Sequence, residues 1–165
     1  MEEKTKTENT GTARSRSERA MNNFEAGYNC TQSVVLAFSD LLDMEERQLA
    51  LAVSAFGGGM GRLREVCGSV SGMFFVLGML QGYHEPGDYE GKKQLYGKVQ
   101  ELARRYEEKN GSIVCRELLG LDHKRDESVP EARTKEYYRK RPCRELIGCA
   151  ARILDEFIKE TAQLQ

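Results

Sequence analysis

Apolar residues recur every three to four positions along most of this chain, which is the spacing of amphipathic helices. This pattern predicts helices over residues 14–28, 29–42, 44–56, 88–110 and 142–161, with a shorter one over 113–119. Residues 121–137 are highly charged and contain Pro130, so we expect a loop there. No alternation typical of β-strands has a useful length. The sequence therefore predicts an all-α fold.

One further helix, predicted over residues 66–82, is apolar on all its sides, and such a helix is usually buried. Gly68, Gly72 and Gly78 each weaken it by about 1 kcal/mol relative to Ala, so we expect a neighbouring backbone or a bound group to approach it closely. The glycine run over residues 57–61 should end the preceding helix. We predict a single-domain bundle of about five to six helices around this buried, glycine-rich central helix.

Length and charge narrow the functional classes. The chain has 165 residues and a formal net charge of −1, so no overall field recruits nucleic acid or an anionic membrane. Residues 1–13 are polar, lack the apolar region of a secretory signal and are predicted to be a disordered tail, with one helical domain over 14–165. The longest apolar run is shorter than the roughly 20 residues that span a bilayer. These features predict a cytoplasmic protein, and a glycine-rich surface is compatible with a homodimer.

The candidate chemistry lies in the five cysteines, which are Cys30, Cys67, Cys115, Cys143 and Cys149. An odd number without an export signal argues against a secreted disulfide scaffold. Three of them fall in the first turn of a predicted helix, and Cys115 falls in the short helix. The partial positive charge of a helix N-terminus lowers the pKa of a thiol from about 8.5. Arg62 and Arg64 act in the same direction on Cys67, which we predict to be the principal thiolate.

The order and spacing of these cysteines resemble the C_GCAxxG_C_C family of redox-active proteins. The matching segments are residues 27–34, 56–61, 67–72 and 110–120, followed by Cys143. The resemblance carries the family's four cysteines onto Cys30, Cys67, Cys115 and Cys143, and it leaves Cys149 as an extra. Ser69 stands where the family motif usually has alanine. A similar region in the split-Soret cytochromes implies a setting of electron transfer.

Three functions remain open at this point. The first is a thiol-based redox protein in which Cys67 is the principal thiolate, the other three cysteines resolve disulfides, and the redox partner is unknown. The second is a metal-binding or electron-transfer module, with Cys30, Cys67, Cys115 and Cys143 ligating an iron–sulfur cluster or zinc. The third is a structural helical interaction domain with inert, buried cysteines. The sequence has no CxxC pair, so neither a thioredoxin-like site nor a zinc ribbon is indicated.

Other motifs give weaker indications. Gly59, Gly61 and Arg62 are candidates for an anion site, because backbone N–H groups ahead of a helix bind anions. The run matches neither the phosphate loop of nucleotide-binding proteins nor the dinucleotide fingerprint. His84 and His123 are predicted to be surface residues. The basic, aromatic stretch over residues 137–141 is predicted to be a turn before the last helix.

Overall fold

The computed structural model describes residues 13–164, and its regular elements are helices together with one isolated β-bridge between Val66 and Val114. The predicted all-α class is confirmed over this part of the chain. Residues 1–12 of the predicted tail lie outside the described residues. In the described range the α-helices are α1 (Arg16–Glu25), α2 (Cys30–Leu36), α3 (Glu46–Ala52), α4 (Gly57–Met60), α5 (Gly68–Gln81), α6 (Tyr89–Asn110), α7 (Cys115–Leu118), α8 (Lys135–Lys140) and α9 (Cys143–Ala162).

The start of α2 is defined by a capping box, in which an N-cap side chain and the third helical residue bond each other's backbone. The Asn29 side chain accepts a hydrogen bond from the Gln32 backbone N–H at 2.9 Å, and the Gln32 side chain accepts one from the Asn29 N–H at 3.1 Å. Two backbone donors that the helix leaves unpaired are thereby satisfied. The predicted N-cap at Asn29 is confirmed, and Cys30 becomes the first helical residue.

Helix α5 packs against α2, α9 and α6, and its residues from Gly68 to Met73 are buried. A Cβ atom added at Gly72 would lie 2.9 Å from the Val34 Cβ, and one at Gly68 would lie 2.8 Å from the Thr31 Oγ1. Helix α2 therefore approaches α5 closely at these two glycines. Gly78 faces open space, so close packing does not account for that third glycine.

Several predicted boundaries are wrong. Helix α2 ends at Leu36 and a separate 3-10 turn covers Ser39–Leu41, while α3 ends at Ala52 and a second 3-10 turn covers Ser54–Phe56. The described residues form nine α-helices rather than five to six, because four-residue and six-residue helices lie between the longer ones. Short helices bury too few residues to produce a periodic pattern.

The predicted loop over residues 121–137 wrongly includes the start of α8. The Thr134 side chain caps this helix by accepting a hydrogen bond from the Tyr137 backbone N–H at 3.1 Å. The Tyr138 ring meets the buried Phe24 ring edge to face, with centroids 5.5 Å apart. The high charge of this segment led to the prediction of a loop, although its Thr134 cap and its aromatic pair fix it as a helix against α1.

The helices from Arg16 to Ala162 include none that is long and apolar enough to cross a bilayer. The cytoplasmic location stays a prediction.

Candidate functional site: a cysteine-lined cavity

Four cysteines from four separate helix starts line a single cavity of about 340 Å³. Cys30, Cys115 and Cys143 are the first residues of α2, α7 and α9, and Cys67 is the N-cap of α5. All are free thiols, three of them buried and Cys30 half-buried. The structure thus brings together the four cysteines singled out in the sequence, while their chemical roles stay predictions.

Cys149 lies outside this cavity, although it shares α9 with Cys143. It is buried, and its sulfur accepts a hydrogen bond from the Asn110 side-chain amide at 3.4 Å. This position provides an internal control for experiments on the cavity thiols.

One wall of the cavity is formed by residues 57–64, a loop that begins with the four-residue element α4 and whose backbone is largely left-handed. Gly58, Gly59 and Gly61 have positive φ values, and so do the non-glycine residues Met60, Arg62 and Arg64, at 66°, 69° and 60°. Such a conformation costs a non-glycine residue roughly 1 kcal/mol or more. The loop keeps it while lying against the thiols, since a Cβ at Gly59 would come within 2.6 Å of the Cys115 Cβ.

Two of the three residues of the predicted anion site line the cavity. Gly59 and Arg62 line the cavity, whereas Gly61 donates its N–H to the Gly57 carbonyl at 2.9 Å and lies outside the lining. The Gly58 backbone N–H interacts with the Cys30 sulfur and favours its thiolate. Anion binding by this loop stays a prediction.

A short backbone bridge connects the segments that carry Cys67 and Cys115. The Cys67 N–H donates to the Ile113 carbonyl at 2.8 Å, and the Cys115 N–H donates to the Glu65 carbonyl at 2.6 Å. These bonds fix the two cysteines relative to one another through the main chain. Cys30 and Cys143, in contrast, are brought into the cavity by the packing of α2 and α9.

Cys30 and Cys143 line the cavity together, and each thiol affects the ionisation of the other. The interaction with the Cys30 side chain lowers the pKa of Cys143 despite its burial, with the nearby Arg141 charge acting in the same direction. The interaction with Cys143, together with burial, raises the pKa of Cys30 well above its usual value, against the effects of Arg133 and the Gly58 N–H. The two thiols therefore favour a state with one negative charge, which we assign to Cys143.

The predicted lowering of the Cys67 pKa is wrong. Burial raises the pKa of this thiol, although hydrogen bonds to Ser69 and Tyr106 partly oppose the effect of burial. The Cys67 sulfur lies 3.1 Å from the Ser69 Oγ and 3.8 Å from the hydroxyl of the fully buried Tyr106. A helix start lowers a thiol pKa only where loss of solvent does not outweigh it.

The sequence predicts that Arg64 lowers the pKa of Cys67, but in the structure Arg64 contacts Cys115 instead. The Arg64 guanidinium is 4% exposed; it lies 3.6 Å from the Cys115 sulfur and donates to Asp126 at 2.7 Å. Burial still raises the pKa of Cys115, with Arg64 opposing it. Among the cavity thiols, Cys143 is therefore the one whose thiolate is favoured.

Two cavity arginines, Arg133 and Arg141, were not identified from the sequence. The Arg133 guanidinium lies over the Phe24 ring at 4.3 Å and over the Tyr137 ring at 5.1 Å. Arg141 also lies over the Tyr137 ring, 5.1 Å from its centroid. The basic, aromatic composition of residues 137–141 is the available signal for Arg141. It predicts a turn before the last helix, whereas the structure forms most of α8 there.

The two histidines lie outside the cavity lining. His84 is exposed beside Glu85, at 3.3 Å. His123 lies between Asp122 and Asp126, at 2.9 and 2.6 Å, and these carboxylates raise its pKa. His123 therefore supports the loop that carries Asp126.

In the part of the chain that the structure describes, no three His, Cys, Asp or Glu side chains are placed to hold a metal ion together. The four cavity thiols thus share one space without forming a metal-ligand set. Ligation of a cluster or of zinc would require these side chains to rearrange.

A family model described as "Putative redox-active protein (C_GCAxxG_C_C)" matches residues 28–157, a range that contains all four cavity cysteines. Neither the comparison with curated proteins nor the comparison with solved structures gave a match.

Proposed function

Because the chain belongs to the C_GCAxxG_C_C family, we propose that it is a thiol-based redox protein in which Cys143 and Cys30 reduce the disulfide of a partner molecule. The observation that carries this proposal is that Cys143 and Cys30, the first residues of α9 and α2, line one cavity, where the interaction with Cys30 lowers the pKa of Cys143. A thiolate and a neighbouring thiol are the two groups that disulfide exchange requires. Cys143 thus replaces Cys67 as our candidate nucleophile.

The reaction proceeds in two exchange steps. The Cys143 thiolate attacks one sulfur of the partner's disulfide, which forms a mixed disulfide and expels the other sulfur as a thiolate. Cys30 gives its proton to that leaving thiolate and then attacks the Cys143 sulfur. A Cys30–Cys143 disulfide forms, and the second partner sulfur leaves and takes a proton from water. Two electrons have passed from the protein's dithiol to the partner.

Cys67 and Cys115 have a different role in this proposal. Their raised pKa values keep them as thiols at neutral pH, so they do not compete for the first attack. Ser69 and Tyr106 hold the Cys67 side chain against α6, and Arg64 holds Cys115 against the loop. Both are expected to react only after the Cys30–Cys143 pair.

Mapping the disulfides formed under mild oxidation tests the proposal. Reduced protein, purified without oxygen, receives one equivalent of a small organic disulfide, and digestion with mass spectrometry identifies the linked cysteines. We expect a Cys30–Cys143 link, its loss in Cys143→Ser, and a mixed disulfide trapped on Cys143 in Cys30→Ser. Cys149→Ser should behave like the parent protein because Cys149 lies outside the cavity.

Three outcomes overturn the proposal. Stoichiometric iron or zinc with all four cavity thiols protected would favour the metal-binding alternative. Persistent exchange in Cys143→Ser, or a lack of reactivity at every cavity thiol, would remove the assigned nucleophile, and general lack of reactivity would favour a structural role.

A further inference from the structure

We propose that this cavity selects small disulfides that carry a carboxylate or another anionic group, in preference to disulfides on the surface of folded proteins. The inference rests on the exchange reaction proposed above and names the class of its substrate. It depends on the access to the thiols, on the charges of the cavity wall and on one arginine that has spare hydrogen-bond donors.

The access to the thiols favours a small molecule. Cys67, Cys115 and Cys143 are only 6%, 7% and 9% exposed, and they lie inside a cavity of about 340 Å³. That volume is at the lower end of the range of small-molecule sites. A disulfide on a folded protein brings bulky backbone with it and cannot approach the Cys143 sulfur, whereas a short aliphatic disulfide fits inside.

The charges of the wall favour an anion. Four arginines line the cavity, namely Arg62, Arg64, Arg133 and Arg141, and Glu131 is the acidic residue of the lining. Glu131 pairs with Arg141. Asp126 is not part of the lining, but it pairs with Arg64 at 2.7 Å and lies 3.7 Å from Arg62. Four guanidinium groups thus face two carboxylates, although the whole chain has a net charge of −1. The cavity wall therefore carries an excess of positive charge that the net charge of the whole chain does not reveal.

Arg133 supplies the free donors. Its guanidinium donates to the Phe24 and Tyr28 backbone carbonyls, at 3.3 Å each, and to the Tyr138 hydroxyl at 3.5 Å, and within residues 13–164 no carboxylate forms an ion pair with it. A guanidinium has five N–H donors in a planar fork. The remaining donors can receive a carboxylate in a charge-assisted bond, and the charge lies close enough to Cys30 to favour its thiolate. A bound anion would therefore lie beside the reacting pair.

A series of three disulfides, in which two methylenes separate each sulfur from a different end group, tests the charge preference. These are 3,3′-dithiodipropionate, bis(2-hydroxyethyl) disulfide and cystamine, which carry two negative charges, none and two positive charges. Each rate of Cys30–Cys143 oxidation is divided by the rate of the same disulfide with a free cysteine derivative. We expect the dianion to exceed the dication at least tenfold at low ionic strength, and the ratio to approach one in concentrated salt.

Variants of Arg133 locate the preference. Arg133→Gln should reduce the dianion-to-dication ratio at least threefold, and Arg133→Lys should retain most of the preference. Arg152→Gln is the matched control, because Arg152 is exposed on α9 outside the cavity. An unchanged ratio in Arg133→Gln overturns the role of this arginine.

The same experiment separates this inference from the proposed function. If the neutral disulfide fails to oxidise the Cys30–Cys143 pair, the exchange chemistry itself is wrong. If it oxidises the pair but the three disulfides show no order, only the anionic substrate class is refuted. Oxidation by intact insulin at the rate of 3,3′-dithiodipropionate would refute the preference for small molecules.

Discussion

The same substitution at two glycines of α5 should change stability in opposite directions. Gly72→Ala places a Cβ 2.9 Å from the Val34 Cβ and 3.2 Å from the Thr31 backbone carbonyl, so α2 must move. Gly78→Ala places a Cβ in open space within the same helix. Because both changes gain helix propensity equally, any difference between the two variants measures the approach of α2 to α5.

The magnitudes follow from two opposing contributions. Replacing an interior glycine by alanine stabilises a helix by about 1 kcal/mol, and this is the whole effect expected for Gly78→Ala. Overpacking a tight contact costs about 1–3 kcal/mol, so Gly72→Ala should be destabilised by about 0–2 kcal/mol. The two variants should therefore differ in free energy of unfolding by about 1–3 kcal/mol.

Urea unfolding of the reduced protein, followed by circular dichroism at 222 nm, is the appropriate assay. With a slope of about 2 kcal/mol per molar urea, which is usual for small domains, the midpoints should differ by roughly 1 M. Equal stabilisation of both variants would refute the reasoning, because it would mean that nothing crowds Gly72. An equal loss would show that Gly78 is also packed.

Two further predictions concern the charges around the cavity. The lowered pKa of Cys143 should make its alkylation by iodoacetamide rise with pH at lower values than that of a free cysteine. Cys30→Ala should move this rise to higher pH because the side chain that lowers the pKa is lost, and an unchanged profile would contradict the assigned interaction. Asp126→Asn should destabilise the fold by about 2 kcal/mol, between the values for buried and surface pairs, because Arg64 is 4% exposed. Asp122→Asn is the matched control, and it should change the stability much less because the Asp122 side chain is fully exposed. Since the pKa of Asp126 is lowered, its contribution is present at neutral pH and is lost as pH falls below the usual aspartate range, so the gap between parent and Asp126→Asn should close in acid.

Local signals in the sequence were sufficient to place three of the four cavity cysteines at helix starts and Cys115 in a short helix. Asn29 followed by Gln32 specifies a capping box, so the position of Cys30 depends on residues within one turn. Helix α9 begins one residue after Pro142, close to the predicted start, because proline favours a first turn. Predictions of this kind succeed where the interactions are short-range.

The electrostatics of the site depend on contacts that the sequence does not display. Cys30 and Cys143 lie near opposite ends of the chain, and no periodic pattern indicates that their side chains meet. Burial reverses the expected effect of the helix start at Cys67, and solvent access is a property of the whole packing. The left-handed backbone at Arg62 and Arg64 contradicts the local preference of arginine, so only tertiary contacts can hold it.

The backbone bridge between the Cys67 and Cys115 segments makes their half of the cavity rigid. The half that contains Cys30 and Cys143 has no such bridge and can open more easily. The amide hydrogens of Cys67 and Cys115 are held by the Ile113 and Glu65 carbonyls, so they exchange with solvent deuterium only when the bridge opens. Within the described residues no backbone hydrogen bond joins Cys30 to Cys143, so a shift of α2 on α9 would separate them without breaking one. Exchange at the two bridged amides therefore reports whether the cavity admits its ligand by unfolding locally or by sliding two helices apart.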